Sequence, residues 1–193
     1  MVQAYYFGQA HECTTNATSI YGQGSSSTQG KLAKLDLTLR GIEADLGDRP
    51  ADSFTQDLHK DLRADFVLAN PPFNVSKWWN AKLADDPRWK YGTPPEGNAN
   101  FAWVQHFLHH LAPNGTAGFV LANGSLSSKN GGEGEIRRKL VEADLVECVV
   151  AMPEKLFFNK GISECRGFIS KNRHGNGGRE SGVRGKGGDV GGG

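Results

Sequence analysis

An α/β, doubly wound fold is what this 193-residue sequence predicts, and three observations predict it. Short apolar runs such as Phe66-Val67-Leu68-Ala69, Phe119-Val120-Leu121-Ala122 and Val149-Val150-Ala151 read as strands without an exposed polar side. Between them lie stretches of ten to fifteen residues with apolar positions three and four apart. Turn-forming residues close each piece. Strands that are apolar throughout are buried on both faces, which is the pattern of βαβ units in a parallel sheet, with ligands at the carboxyl ends of its strands.

Taken in order, Thr18 to Gln23 is short and β-prone, and Gly24-Ser25-Ser26-Ser27 ends it in a loop. A helix capped by Thr28 follows, its apolar face formed by Leu32, Leu35 and Leu39, and Gly41 stops it. After an Asp-rich connection, Ala64 to Ala69 forms the central strand, which ends at Asn70-Pro71-Pro72 because two prolines cannot continue a ladder. Phe73 to Gly97 carries three tryptophans and no sustained period, so a long aromatic loop is expected. Asn98 to Leu111 is a helix, with Phe101, Val104, Phe107, Leu108 and Leu111 on one face and Pro113-Asn114-Gly115 ending it. Then come a strand at Thr116 to Ala122, a surface helix at Glu133 to Ala143 and a strand at Leu145 to Met152 closed by Pro153.

Composition fixes one domain and an ordinary core: 37% of residues are hydrophobic and 22% charged. The 26 glycines are about twice the usual share and concentrate in the tail, where ten of the twenty residues His174 to Gly193 are glycine. That tail cannot build a core and is expected to be disordered. Twenty-two basic against twenty-one acidic residues, a net charge of +1, exclude a strongly electropositive nucleic-acid binder but not DNA as a substrate. Cys13, Cys148 and Cys165 form no CxxC pair, which points to buried reduced thiols in a cytoplasmic protein. The start of the chain lacks the basic and apolar stretches of a signal peptide, and no run suits a membrane span.

The chemistry concentrates where Asn70-Pro71-Pro72-Phe73 leaves its strand. Two prolines fix φ and remove two N–H groups, so the turn presents acceptors without competing donors. The Asn70 side-chain oxygen and the Pro71 carbonyl can both accept from one amino group, with Phe73 as a stacking face for a planar ring. Two acceptors on one amine draw it toward tetrahedral geometry and free its lone pair for attack on an electrophilic methyl group. Asp65 through Phe73 closely resembles motif IV of the amino-group DNA methyltransferases. Ile20-Tyr21-Gly22-Gln23, Leu32 to Leu37, Arg40-Gly41-Ile42, Asn98 to Trp103, Gly118 to Gly124 and Pro153 to Phe158 are similar, in order and spacing, to the modification subunit of type I restriction-modification systems.

The resemblance covers residues 18 to 172 and implies a Rossmann-like methyltransferase sheet, incomplete at both ends. It also implies methyl transfer from S-adenosylmethionine to the N6 amino group of a flipped adenine in duplex DNA, alongside specificity and restriction subunits. Asn70, Pro71, Pro72 and Phe73 then hold the target base, while Asp52 and Ser53, together with Asn70, serve the cofactor. The family carries an acid directly after Tyr-Gly-Gln, whose carboxylate binds the ribose hydroxyls, and this chain has Gly24 there. The family's glycine-rich first motif is not found in residues 1 to 17, a segment left unassigned, and the polar Glu164-Cys165-Arg166-Gly167 stands where the family continues with an apolar strand. The chain therefore reads as the middle of a larger subunit, with 18 to 172 as a partial methyltransferase domain and 173 to 193 as its glycine-rich tail. The alternative is a non-catalytic DNA-associated or subunit-interaction module.

His106, His109 and His110 have a helical spacing that suits a metal, but no carboxylate or Cys partners them in a recognisable pattern, so no metal is assigned and a solvated helix face is expected. Trp78, Trp79, Trp89 and Tyr91, interleaved with Lys77, Lys82, Arg88 and Lys90, either line a DNA-facing loop or pack down as a satellite cluster.

Overall fold

The computed structural model describes residues 18–128, 130–152 and 164–172. The elements in chain order are β1 (Ile20–Tyr21), α1 (Ser27–Leu39), β2 (Ala44–Asp45), β3 (Ala64–Ala69), α2 (Asn100–His110), β4 (Leu111–Ala122), the one-turn α3 (Gly124–Ser127), α4 (Glu133–Glu142), β5 (Val146–Ala151) and β6 (Glu164–Ser170). Two sheets result. β1 and β2 form a parallel pair, and a four-stranded sheet runs in the order β3-β4-β6-β5. β3 pairs parallel to β4, whereas β6 runs antiparallel to both β4 and β5.

The sheet is therefore mixed rather than parallel, and β3 is an edge strand rather than the central one among the described residues. β6 was not expected, because Glu164 and Arg166 make its sequence look polar. Its period is nonetheless two, with Cys165, Gly167 and Ile169 turned inward. Gly167 faces Phe119 across the ladder, and a Cβ there would lie 2.7 Å from the Phe119 ring, so glycine seats that ring. β4 begins at Leu111, earlier than the expected Thr116, and the residues between Leu111 and Thr116 interrupt its pairing with β3. Gly115 lies inside that irregularity, where a Cβ would sit 2.7 Å from the Ala64 carbonyl oxygen.

The core fills one face of the four-stranded sheet. Phe101, Val104, Phe107 and Leu108 of α2 and Ile136 and Leu140 of α4 pack against Ala117, Phe119, Leu121, Cys165 and Ile169. On the opposite face Phe66 is 78% exposed and Leu68 53%, so the expectation of two covered faces fails among the described residues. α1 starts at Ser27, with Ser26 rather than Thr28 as its cap, the Ser26 hydroxyl accepting from Gln29 N at 3.4 Å. Its expected apolar face does not pack: Leu32, Leu35 and Leu39 are exposed and Leu37 alone is buried. α4 is more than a surface helix, because Glu133, Ile136 and Leu140 are buried.

Phe54, Trp78, Leu83, Trp89, Ala99 and Ala102 form a second apolar cluster beside α2. Trp78 donates to the Pro95 carbonyl at 3.2 Å and Trp89 to the Leu83 carbonyl at 2.6 Å, which satisfies both indoles inside the cluster. The satellite reading of the aromatic loop holds for Trp78, Trp89 and the buried Arg88. Cys165 is buried and its thiol is pushed up by that burial, but Cys148 is exposed, against expectation. No described helix is long and apolar enough to cross a membrane. Cys13, the segments 1–17 and 173–193 and the Pro153 to Phe158 motif lie outside the described residues.

Candidate active site

β3 delivers the Asn70–Phe73 turn at its carboxyl end. Ala69 is in register with Phe119 of β4, so the strand is held up to the residue before the turn. Pro71 is buried, Asn70 and Pro72 are exposed, and Phe73 is half-buried. Asn70, Leu68, Gly118, Val120, Arg166 and Phe168 border an open depression of about 330 Å³. Sequence reasoning missed Arg166 and Phe168 there, because β6 was not read as a strand.

Behind Phe73 the chain turns through Asn74, whose φ of 54° lies in the left-handed region that Asn tolerates. Asn74 N–H donates to Asn100 Oδ1 at 3.0 Å, and Asn100 Nδ2 donates back to Asn74 Oδ1 at 2.9 Å and to Ser125 Oγ at 2.8 Å. Asn98 Oδ1 accepts from Asn100 N–H at 2.9 Å, which satisfies a donor in the first turn of α2.

The Asp52 loop is built differently. Asp52 Oδ1 accepts from Phe54 N, Thr55 N and Thr55 Oγ1 at 2.9 to 3.0 Å, so this aspartate caps its own turn, and its second oxygen has no partner among the described residues. The Ser53 and Phe54 carbonyls accept from the Arg88 guanidinium at 2.8 and 2.5 Å. Arg88 also grips Asp86 through two bonds of 2.8 and 2.6 Å and donates to His106 Nδ1 at 3.1 Å. Burial alone would raise the Asp86 carboxyl, but the Arg88 hydrogen bonds and charge hold it below its ordinary value.

β1 and this loop are joined. Ala51 N donates to the Gly24 carbonyl at 3.0 Å and Leu58 N to Gln23 Oε1 at 2.8 Å, while His59 Nε2 lies 3.0 Å from the Gly22 carbonyl. A Cβ at Gly24 would meet no atom within 4 Å. The Asp52 loop and the Asn70–Phe73 turn are both tied to α2, the loop through Arg88 and His106 and the turn through Asn74 and Asn100.

Asp57, His106 and His110 place ligand-type atoms within 4.8 Å of one another. The carboxylate absent from the sequence pattern thus comes from Asp57, 53 residues before His110, at 2.8 Å from His110 Nε2. A guanidinium can only donate, so His106 Nδ1 accepts from Arg88 and the ring proton sits on Nε2, which leaves His106 no lone pair for a cation. Burial, with the charges of His110 and Arg88, pushes His106 down to about 3. The cluster is a hydrogen-bonded network that ties the loop to α2.

Residues 1–183 match the N-6 DNA methylase family. The chain is 54% identical over 172 residues to the type I restriction enzyme HindI methylase subunit of Haemophilus influenzae, covering 89% of this chain and 39% of that one. It is 48% identical to the type I restriction enzyme MjaIX methylase subunit of Methanocaldococcus jannaschii, covering 82% of this chain and 29% of the relative. Among solved structures, the methyltransferase subunit of a type I restriction-modification system from Streptococcus thermophilus superposes with a TM-score of 0.77 at 28% identity, over 87% of this chain and 37% of that one. The chain thus spans well under half the length of the relatives it matches.

Proposed function

The chain belongs to the N-6 DNA methylase family, and from that premise we propose that it is the part of a type I modification subunit that holds the target base. Its reaction is transfer of a methyl group from S-adenosylmethionine to the N6 amino group of adenine in duplex DNA, in the cytoplasm, within an assembly of specificity and restriction subunits. The observation that carries this reading is the rigid acceptor turn at the end of β3. Asn70 is exposed there beside an open depression, and Pro71 and Pro72 bring no N–H to compete with the substrate amine.

In the reaction Phe73 stacks on the flipped adenine, and the Asn70 oxygen and Pro71 carbonyl accept hydrogen bonds from the two amine N–H groups; as the nitrogen–methyl bond forms and the methyl–sulfur bond breaks, the amine gives up one proton to solvent. The nitrogen lone pair then points away from both acceptors, toward the attacking direction. The cofactor supplies the electrophilic methyl group when bound. The Asp52 loop suits its adenosine end, because one carboxylate oxygen faces outward while the other fixes the turn, and Arg88 holds the carbonyls behind it.

Mass-spectrometric detection of N6-methyladenine in duplex DNA incubated with the chain and S-adenosylmethionine tests the proposal. Methyladenine should form, and Asn70→Ala should abolish it; in the subtilisin oxyanion hole, loss of one such polar group costs on the order of 10²-fold or more. DNA association without methyladenine would instead assign the chain to the non-catalytic class.

A further inference from the structure

Pro71 and Pro72 offer no backbone donor, so that half of the turn makes no hydrogen bond through an N–H of its own. The chain is gripped on either side of it. The front end is the β3–β4 ladder, in register through Ala69 and Phe119. The back end is Asn74, the second residue after the prolines, held in a left-handed conformation by a reciprocal contact with Asn100.

Resting on the functional reading above, we propose that Asn100 is the positioning residue of the acceptor turn. Through Asn74 it sets where the Asn70 oxygen and the Pro71 carbonyl meet the substrate amine. Asn100 is 1% exposed and spends its whole amide: Oδ1 accepts from Asn74 N–H, and Nδ2 donates to Asn74 Oδ1 and Ser125 Oγ. The position asks for one acceptor and two donors on a short stem. Asp has no donors, Ser has one, and Gln is a methylene too long. Asn98 adds a second donor to Asn74 Oδ1 at 3.3 Å. Ser125 sits in α3, just past the carboxyl end of β4, where its carbonyl accepts from Arg137 at 2.9 Å. The same amide thus locks the exits of the two neighbouring strands to the first residue of α2, so the turn cannot shift without breaking a buried, fully satisfied group.

The experiment uses the full 193-residue chain, ¹⁵N-labelled, with Asn100→Ala, Asn74→Gly and the double variant. Asn74→Gly keeps the positive φ and the backbone N–H and removes the side chain whose oxygen accepts from Asn100, so it reports on the clamp if Asn100→Ala folds poorly. Asn100→Ala should speed hydrogen exchange of the Asn74 N–H by about tenfold or more, while amides of α4 keep their protection. It should also move the Asn70 and Phe73 resonances. In methyl transfer, kcat should fall by on the order of 10²-fold with the KM for S-adenosylmethionine unchanged, the mark of a turn misplaced by about 1 Å. The double variant should lose less than the product of the two single losses, since both remove one shared bond. Unchanged exchange at Asn74, or a rise in KM that accounts for the whole loss, overturns the proposal. Absence of transfer by the parent chain would overturn the functional reading instead, and the exchange and resonance results would still decide whether Asn100 holds the turn.

Discussion

The two ends of α2 hold two different loops by two different kinds of chemistry. At its amino end, Asn100 holds the proline turn with a neutral amide. Toward its carboxyl end, His106 and His110 hold the Asp52 loop through Arg88 and Asp57. The difference follows from what each loop presents. Pro71 and Pro72 have no N–H to give, and Asn74 behind them carries both an N–H and a side-chain oxygen, which an amide matches. The Asp52 loop turns two adjacent carbonyls inward, and only a multi-donor cation can satisfy both, so Arg88 enters with Asp86 to balance its charge. Neutral and charged anchors should therefore fail under different conditions.

The largest effect is expected from breaking the charged anchor. Arg88→Ala leaves the Asp86 charge without its cation and two carbonyls and a His106 acceptor without their donor, and removing one partner of a buried pair costs about 3–5 kcal/mol. Urea unfolding should show that loss with an unchanged slope; a change under about 1 kcal/mol would mean that water replaces the guanidinium.

A smaller effect separates the two ends by pH. His106 titrates near 3 in the folded chain and near 6.5 when unfolded, so the unfolded chain takes up a proton that the folded chain refuses. That contribution is full above about pH 6.5 and is lost progressively as the pH falls toward 3. Burial alone would raise the Asp57 carboxyl, but the His110 hydrogen bond and charge hold it below its ordinary range. Its stabilisation is therefore present above about pH 4 and lost below. Melting temperature should fall from pH 7 to pH 4, and His106→Gln should flatten the slope, whereas Asn100→Ala should lower the whole curve without changing its shape. Equal slopes in parent and His106→Gln would remove His106 from this role.

The smallest expected effect is a gain. Gly24 lies beside the Asp52 loop where a Cβ would meet no atom within 4 Å, so Gly24→Glu introduces a carboxylate at an open backbone position. If the ribose hydroxyls lie there, affinity for S-adenosylmethionine should rise by about tenfold, the worth of one charge-assisted hydrogen bond. An unchanged affinity would place the ribose elsewhere.

The contrast also marks what the sequence could disclose. β3, the core-facing side of α2, α4 and β5 were legible because continuous apolar runs and helical spacing survive without knowledge of partners. The acceptor turn was legible because prolines act locally. The anchors were not: Asn100, Arg88 and Asp57 are ordinary polar residues until the fold brings partners 26, 34 and 53 positions away. β6 was hidden by Glu164 and Arg166, and the exposed Phe66 and Leu68 show that an apolar run does not by itself say which faces are covered.

Whether α2 holds the two loops of the proposed site by separable anchors is tested most directly by calorimetric titration of S-adenosylmethionine into the chain and two variants. Asp52→Asn keeps its own turn's acceptor and removes the charge; Asn100→Ala removes the anchor of the proline turn and the bond to Ser125 but no bond of the Asp52 loop. The parent and Asn100→Ala should bind alike, with a Kd near 1 μM or about −8 kcal/mol, and Asp52→Asn should bind more weakly. No saturable binding by the folded parent, or equal weakening in both variants, would contradict it.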